Sequence, residues 1–301
     1  MSDKYPKLPV VEDIEYLKNN GVVIVDKPSG PTSHQVAAWA RDIVGTSKAG
    51  HAGTLDPKVT GVLPIAFGPS ARALHYLHLS SKEYVGVMRL HHKVSRDDVL
   101  EIFSQFTGPI FQMPPVRAAV KRQRRVRNIF ELELLEMEEE KILFKVSCES
   151  GTYIRTLCFD IGEVLGVGGH MVELRRTRVG HLLESDSVTL QMLSDSLYFS
   201  KEEGGKTPLM PMESLLLHLP RIILKDNAVD TVCHGAQLNV PGIELIEKDF
   251  KSQDVVLLCT KDARAVAAGR ARASSETLEN LKKGEAATLE TVFMEPGTYP
   301  K

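Results

Sequence analysis

Apolar and polar positions follow two periods along this chain, and the switches between them mark a series of short elements. Gly21-Val-Val-Ile-Val25 is an apolar run with strand character, ended by the turn-rich segment Asp26-Lys-Pro-Ser-Gly-Pro-Thr32. Thr32 and Gln35 have capping-box spacing, and Val36, Trp39, Ala40 and Ile43 recur at helical intervals, predicting a helix that buries that face. Ser95 and Asp98 open a second helix, with Val99, Ile102, Phe103 and Phe106 as its buried stripe and Gly108-Pro109 as its end. Strand alternation puts Tyr84, Gly86, Met88 and Leu90 on one face of Lys82–Leu90. It also predicts a hairpin over 129–150, where Ile142, Phe144, Val146 and Cys148 alternate and the acidic run Glu138–Glu140 makes the turn. Leu157, Ile161, Val164 and Leu165 mark one more helix.

Beyond it, Lys201-Glu-Glu-Gly-Gly-Lys-Thr-Pro208 combines charge, paired glycine and proline, the composition of a boundary or insertion. Two short helices follow, the second opened by Asp226 and stopped at Gly235. Short strands come next, near 237–240, 254–259, 264–270 and 286–293. The expected fold class is therefore α/β (α+β): a larger core unit of 21–206 with a mixed, largely antiparallel sheet and flanking helices, then a small, mostly β unit over 207–301. Residues 1–20 form a polar extension that could pack on the C-terminal unit.

Composition narrows the class without naming it. The 301 residues are 43% hydrophobic and 25% charged, have a net charge of −2, and contain no apolar stretch long enough to cross a bilayer. The first residues lack the apolar core of a secretory signal, so a cytoplasmic location is expected. Cys148, Cys158, Cys233 and Cys259 are scattered without a C-x-x-C pair, which signals neither a zinc site nor a disulfide framework.

Chemistry is concentrated in a few segments. Gly50-His51-Ala-Gly-Thr-Leu-Asp56-Pro-Lys-Val-Thr-Gly61 sets polar residues in a glycine- and proline-shaped loop between apolar stretches. It reads equally as a surface Asp-Pro turn or as a loop that presents one carboxylate. Tyr84 reads as a core residue with its hydroxyl at the rim or as a site residue, and Arg155 as a capping group or a site cation. Arg117, Lys121, Arg122, Arg124, Arg125 and Arg127 form one basic cluster, and Arg175, Arg176 and Arg178 another. Such clusters are solvated faces or contacts to RNA phosphates.

Taken together these segments resemble the TruB and dyskerin family of pseudouridine synthases. The resemblance rests on Val25-Asp-Lys27-Pro28-Ser-Gly30-Pro-Thr-Ser33, Gly50–Gly61, Lys82-Glu-Tyr84, Thr152-Tyr-Ile-Arg155-Thr-Leu and Leu174-Arg-Arg-Thr-Arg178-Val-Gly180, in the family's order. Pro211-Met-Glu213, His234-Gly-Ala236, Val240-Pro-Gly242 and Val292-Phe-Met294 are similar to a PUA domain, a small RNA-binding β-barrel. Within the family the archaeal dyskerin-like branch fits best, because the span from Tyr84 to Arg155 lacks the bacterial insertion and the chain lacks lysine-rich tails.

The resemblance implies an enzyme that isomerises uridine to pseudouridine in tRNA (at uridine-55), or in rRNA as the catalytic subunit of an H/ACA guide ribonucleoprotein, or in both. It assigns Asp56 as nucleophile, Arg155 as its cationic partner, and Tyr84 as the aromatic that stacks on the uracil and handles a proton. His51 would brace the space left by a flipped uridine, Lys27 would contact substrate, and Leu174 would line the pocket floor. No cofactor and no metal are expected, because nothing is oxidised and the base never leaves the site. The implied partners are tRNA, rRNA and H/ACA guide RNA, with the small nucleolar protein ten homologue, a glycine-arginine-rich-type protein and a kink-turn-binding ribosomal-type protein. The rival class is a non-catalytic RNA-binding assembly protein, which is expected to have lost Asp56, Tyr84 or Arg155.

Overall fold

The computed structural model describes residues 5–114, 123–203 and 207–299. In chain order its elements begin with α1 (Ile14–Asn20), β1 (Gly21–Lys27), α2 (Ser33–Val44), β2 (Ala49–His51), β3 (Thr60–Phe67), α3 (Leu74–His78) and β4 (Lys82–Leu90). They continue with α4 (Arg96–Phe106), β5 (Gly108–Gln112), β6 (Arg125–Glu138), β7 (Lys141–Cys148), α5 (Ile154–Val164), β8 (Gly169–Val179), β9 (Leu182–Leu183) and α6 (Leu190–Glu203). The remainder are β10 (Met210–Pro211), β11 (Arg221–Leu224), α7 (Asp226–Cys233), β12 (Leu238–Asn239), β13 (Ile243–Ile246), β14 (Val255–Cys259), β15 (Ala265–Ala271), α8 (Ser275–Asn280) and β16 (Glu285–Val292).

The first sheet runs β10-β1-β3-β8-β4-β7-β6-β5, with β2 on β3 and β9 on β8. Its pairings are antiparallel except β3 with β8, so the expected mixed, largely antiparallel sheet is what forms. The capping box is present at Thr32, whose hydroxyl accepts from Gln35 N while the Gln35 side chain accepts from Thr32 N. The hairpin turns between β6 and β7 at Glu139, whose φ of +53° marks the reversal. Two expected details differ. Trp39 is 47% exposed because α2 buries Ser33, Val36, Ala37, Ala40 and Val44, a stripe rotated away from it, and Val164 is exposed at the frayed end of α5. Gly108-Pro109 does end α4 but also starts edge strand β5, where a proline costs no internal ladder bond.

The second sheet, β12-β16-β15-β14-β11-β13, is curled and carries its own apolar cluster, including Ile222, Leu224, Val256, Leu258 and Val266. Strands β11 and β13 were not predicted from the sequence, since each is a run of only four residues, too short for its alternation to stand out. A different cluster spans both sheets: Val22, Ile24 and Leu77 pack with Leu216, Ile223, Leu257 and Phe293. Residues 210–211 add an edge strand to the first sheet before the chain enters the second. The N-terminal segment also reaches the second sheet, where Arg221 Nη1 donates to the Pro6 carbonyl at 2.8 Å.

Candidate active site

Asp56 stands at the tip of the loop joining β2 to β3, where every neighbouring residue is tied down. Leu55 and Val59 point inward, 4% and 4% exposed, and turn Asp56 outward between them. The buried Ser33 hydroxyl accepts from Leu55 N at 2.9 Å and lies 3.1 Å from the Leu55 carbonyl, pinning the residue just before the carboxylate. On the other side Gly30 N donates to the Pro57 carbonyl at 2.9 Å and Val59 N to the Asp56 carbonyl at 3.0 Å.

Two buried cations complete the brace. Lys27 is fully buried, and its Nζ donates to the carbonyls of Pro28, Pro57 and Val59 at 2.8, 2.9 and 2.9 Å. Burial lowers its pKa below the ordinary lysine value, and the Asp56 carboxylate opposes that. Arg176, 1% exposed, donates from Nε to the Val62 carbonyl at 2.8 Å and from Nη2 to the Gly53 carbonyl at 2.9 Å. Its strand presses on Gly61, where φ is +102° and a Cβ would stand 2.1 Å from the Arg176 carbonyl oxygen, so only glycine fits.

The Asp56 carboxylate meets a residue ninety-nine positions away. Arg155, at the start of α5, donates from Nη2 to Asp56 Oδ2 at 2.8 Å, and both side chains are 59% exposed. Tyr84, half-buried on β4, lies opposite Arg176 in register. Burial pushes its hydroxyl pKa up, the Arg176 guanidinium pulls it down, and the Asp56 charge adds to the rise, which places Tyr84 within the same field. At neutral pH it stays a phenol able to donate. Leu174 of β8 lies opposite Gly86, and Leu174 and Tyr84 pack on the same apolar cluster; a Cβ on Gly86 would approach Leu174 Cδ1 to 2.9 Å.

His51 closes the other side. Burial, together with His34, His78 and Arg176, lowers its pKa to about 4, so it is neutral at pH 7. The His34 ring meets it edge-on with centroids 4.7 Å apart, and both His51 ring nitrogens are buried without a hydrogen-bond partner. A neutral imidazole with an apolar ring face is suited to packing against a base.

Four sequence-based assignments need correction. Lys27 cannot touch substrate, because its ammonium is enclosed and fully used by loop carbonyls. Arg176 is likewise internal and cannot meet RNA phosphates. Arg175 is held by Asp26, at 2.9 and 3.0 Å, and by Glu184, while Arg178 engages Glu83, Ser147, Ser81 and Gly180. These arginines lie on the central strand β8 and are engaged within the protein, so the clustering reflects sheet architecture rather than an exposed basic face. Arg124 and Arg125 are exposed; Arg117, Lys121 and Arg122 lie outside the described residues. Ser33 and Lys82 stand in the quoted motifs with no role assigned to them, and Gln112 carried no signal in the sequence.

Known proteins converge on this arrangement. Residues 41–154 match the TruB family pseudouridylate synthase N-terminal domain, 155–217 the tRNA pseudouridylate synthase B C-terminal domain, and 220–293 the PUA domain. A relative from Methanosarcina barkeri (strain Fusaro / DSM 804), named "Probable tRNA pseudouridine synthase B", is 50% identical over 302 residues, covering 99% of this chain and 88% of the relative. The chain belongs to the TruB family of pseudouridylate synthases. A relative of the same name from Methanocaldococcus jannaschii is 48% identical over 297 residues, covering 97% of this chain and 88% of its own. The crystal structure of a Cbf5-Nop10-Gar1 complex superposes with a TM-score of 0.91 at 43% identity, covering 100% of this chain and 93% of the matched one. An H/ACA RNP bound to a substrate RNA containing 2′-deoxyuridine gives a TM-score of 0.89 at 42% identity, covering 98% and 92%. This TruB-family protein is a pseudouridine synthase with a C-terminal PUA domain. Among its described residues no helix is long and apolar enough to cross a membrane.

Proposed function

We propose that Asp56 is the nucleophile of the isomerisation, held by Arg155, with Tyr84 and His51 receiving the flipped uridine. The observation that carries this reading is the Asp56–Arg155 ion pair at 2.8 Å, presented to solvent on a loop whose backbone is braced from inside by Lys27 and Arg176. The reaction breaks the bond between ribose C1′ and uracil N1, turns the ring, forms the bond from C1′ to C5 and, on balance, moves a proton from C5 to N1. A carboxylate can serve it by attacking a carbon centre or by assisting deprotonation at the sugar. Arg155 fixes the carboxylate as its neighbours are desolvated by the bound RNA, offsetting the penalty that burial would place on the charged form. Tyr84 stacks on the uracil and offers a hydroxyl for proton transfer. His51 fills the gap left in the RNA stack, and Leu174 lines the pocket.

The same reading divides labour between 21–206, which performs the chemistry, and 207–301, which holds RNA, with residues 1–20 linking them through contacts such as Pro6 to Arg221. Similarity along the whole chain to Cbf5 in complexes with Nop10 and Gar1 supports the catalytic subunit of an H/ACA guide ribonucleoprotein partnered by homologues of those proteins. The names of the curated relatives support action on tRNA as well, and the proposal adds uridine-55 as its target, a cytoplasmic location and a kink-turn-binding partner. Arg124 and Arg125, both exposed, are proposed to meet RNA phosphates. The test is to incubate purified protein with unmodified tRNA, and with a guide-paired target RNA plus partner proteins, and to map pseudouridine chemically. Product at uridine-55 without guide supports the tRNA activity, and guide-dependent product supports the ribonucleoprotein. No product in either assay overturns the reading.

A further inference from the structure

Arg155 reaches Asp56 from the second position of α5, so its placement depends on how that helix begins. The N-cap residue Tyr153 has no side-chain capping bond. Its main chain is instead gripped by Gln112, a residue of edge strand β5 that is 2% exposed. Tyr153 N donates to Gln112 Oε1 at 2.9 Å, and Gln112 Nε2 donates to the Tyr153 carbonyl at 3.1 Å. This reciprocal pair copies a strand-to-strand pairing and holds Tyr153 extended, at φ −96° and ψ 101°, before the chain turns helical.

A second buried side chain grips the same turn three residues earlier. Lys82, 5% exposed, opens β4 and donates from Nζ to the carbonyls of His78 and Ser80, each at 2.6 Å, and to Ser150 Oγ at 3.0 Å. Ser150 in turn donates to the His78 carbonyl. Lys82 sits two positions before Tyr84 on one face of the strand, so it joins the strand bearing the tyrosine to the turn bearing the arginine. Burial and the Arg176 charge lower its pKa to about 8.

We propose that Gln112 and Lys82 are positioning residues that clamp the 150–153 turn from two sides and so set the reach of Arg155 toward Asp56. The proposal rests on Asp56 and Arg155 acting as read above. A displacement of about 1 Å in a catalytic contact can cost a hundredfold in rate, so loss of either grip is expected to act on turnover more than on RNA affinity.

The test compares wild type, Gln112→Met, Gln112→Glu, Lys82→Met and Arg155→Ala, each checked for folding by thermal melting, in a tRNA pseudouridylation assay. Gln112→Met keeps the volume and removes both bonds, while Gln112→Glu keeps the acceptor for Tyr153 N and loses the donor. The expected result is a drop in kcat of about tenfold or more for Gln112→Met and Lys82→Met, with KM within about twofold, and a smaller loss for Gln112→Glu. In an Arg155→Ala background Gln112→Met is expected to cost less than about twofold, because the group being positioned is already gone. Equal losses with and without Arg155 would overturn the clamp and leave a purely structural role. A readout independent of turnover is nitrogen NMR of the Arg155 guanidinium: slowed rotation in the wild type, released in Gln112→Met, supports the clamp, and unchanged rotation overturns it. Arg155→Ala retaining wild-type activity would instead overturn the reading of the ion pair.

Discussion

The loop that presents Asp56 and the junction between the two sheets are both anchored from inside the protein, yet by different balances of force. At the loop, Lys27 and Arg176 satisfy five backbone carbonyls with directional hydrogen bonds, Lys27 those of Pro28, Pro57 and Val59, Arg176 those of Val62 and Gly53. At the junction Val22, Ile24, Leu77, Leu216, Ile223 and Leu257 exclude water, and hydrogen bonds cross at its edge, among them those from Tyr76 Oη to Thr291 Oγ1 at 2.8 Å and from Arg72 Nη1 to the Val292 carbonyl at 2.9 Å. Hydrogen bonds fix positions to fractions of an ångström, whereas apolar burial scales with area and tolerates small shifts. Chemistry is therefore placed where directional bonds dominate, and attachment of the RNA-binding unit where apolar burial contributes most.

Breaking the loop is expected to have the largest effect. Lys27→Met fills the space but takes the lysine donor from the Pro28 and Val59 carbonyls and leaves the Pro57 carbonyl with Gly30 N alone, which costs about 3 kcal/mol of stability. It should also lower kcat at least about a hundredfold in the fraction that remains folded, as measured by denaturant titration and single-turnover assay. Leu216→Ala at the junction is expected to cost about 3 kcal/mol through the cavity it leaves. Its turnover on a short substrate should stay near that of the wild type at temperatures where it is folded. A kcat loss as large as that of Lys27→Met would erase the contrast between the two regions.

The smallest effect concerns pH. His181 and His218 stack at the junction with centroids 5.6 Å apart, and their Nδ1 atoms are buried without partners. Burial lowers both pKa values, that of His218 to about 4. Each folded pKa lies below the unfolded one, so between pH 6.5 and 4 the unfolded chain binds protons that the folded chain refuses. The associated stability is complete above pH 6.5 and declines as pH falls toward 4. Thermal midpoints should fall by a few degrees across that window, and His218→Phe should flatten part of the slope, His51 supplying more of it with the same sign.

The sequence revealed much of this architecture where a local rule operates. Thr32 with Gln35 announced α2, and the alternation of Ile142 to Cys148 announced the hairpin, because caps and pleats act within a few residues. Asp56, Tyr84 and Arg155 came from their resemblance to a family, since no local rule joins positions ninety-nine apart. What stayed hidden were the groups that work from inside. A lysine or arginine in a sequence reads as exposed, and nothing in Asp26-Lys-Pro-Ser or Leu174-Arg-Arg-Thr shows that Lys27 and Arg176 are enclosed by carbonyls. Gln112 was equally silent, because its partner Tyr153 becomes its neighbour only after β5, β6 and β7 have paired.

The account turns on Asp56, and Asp56→Asn tests it most directly. The amide keeps the shape of the side chain, and the loop's braces contact other residues, so folding and RNA affinity should remain within about twofold of wild type. Measured by chemical mapping of a stoichiometric enzyme–tRNA mixture over many hours, pseudouridine should be undetectable. Accumulation of product by that variant at any rate above the uncatalysed background would contradict the assignment of Asp56 as the nucleophile.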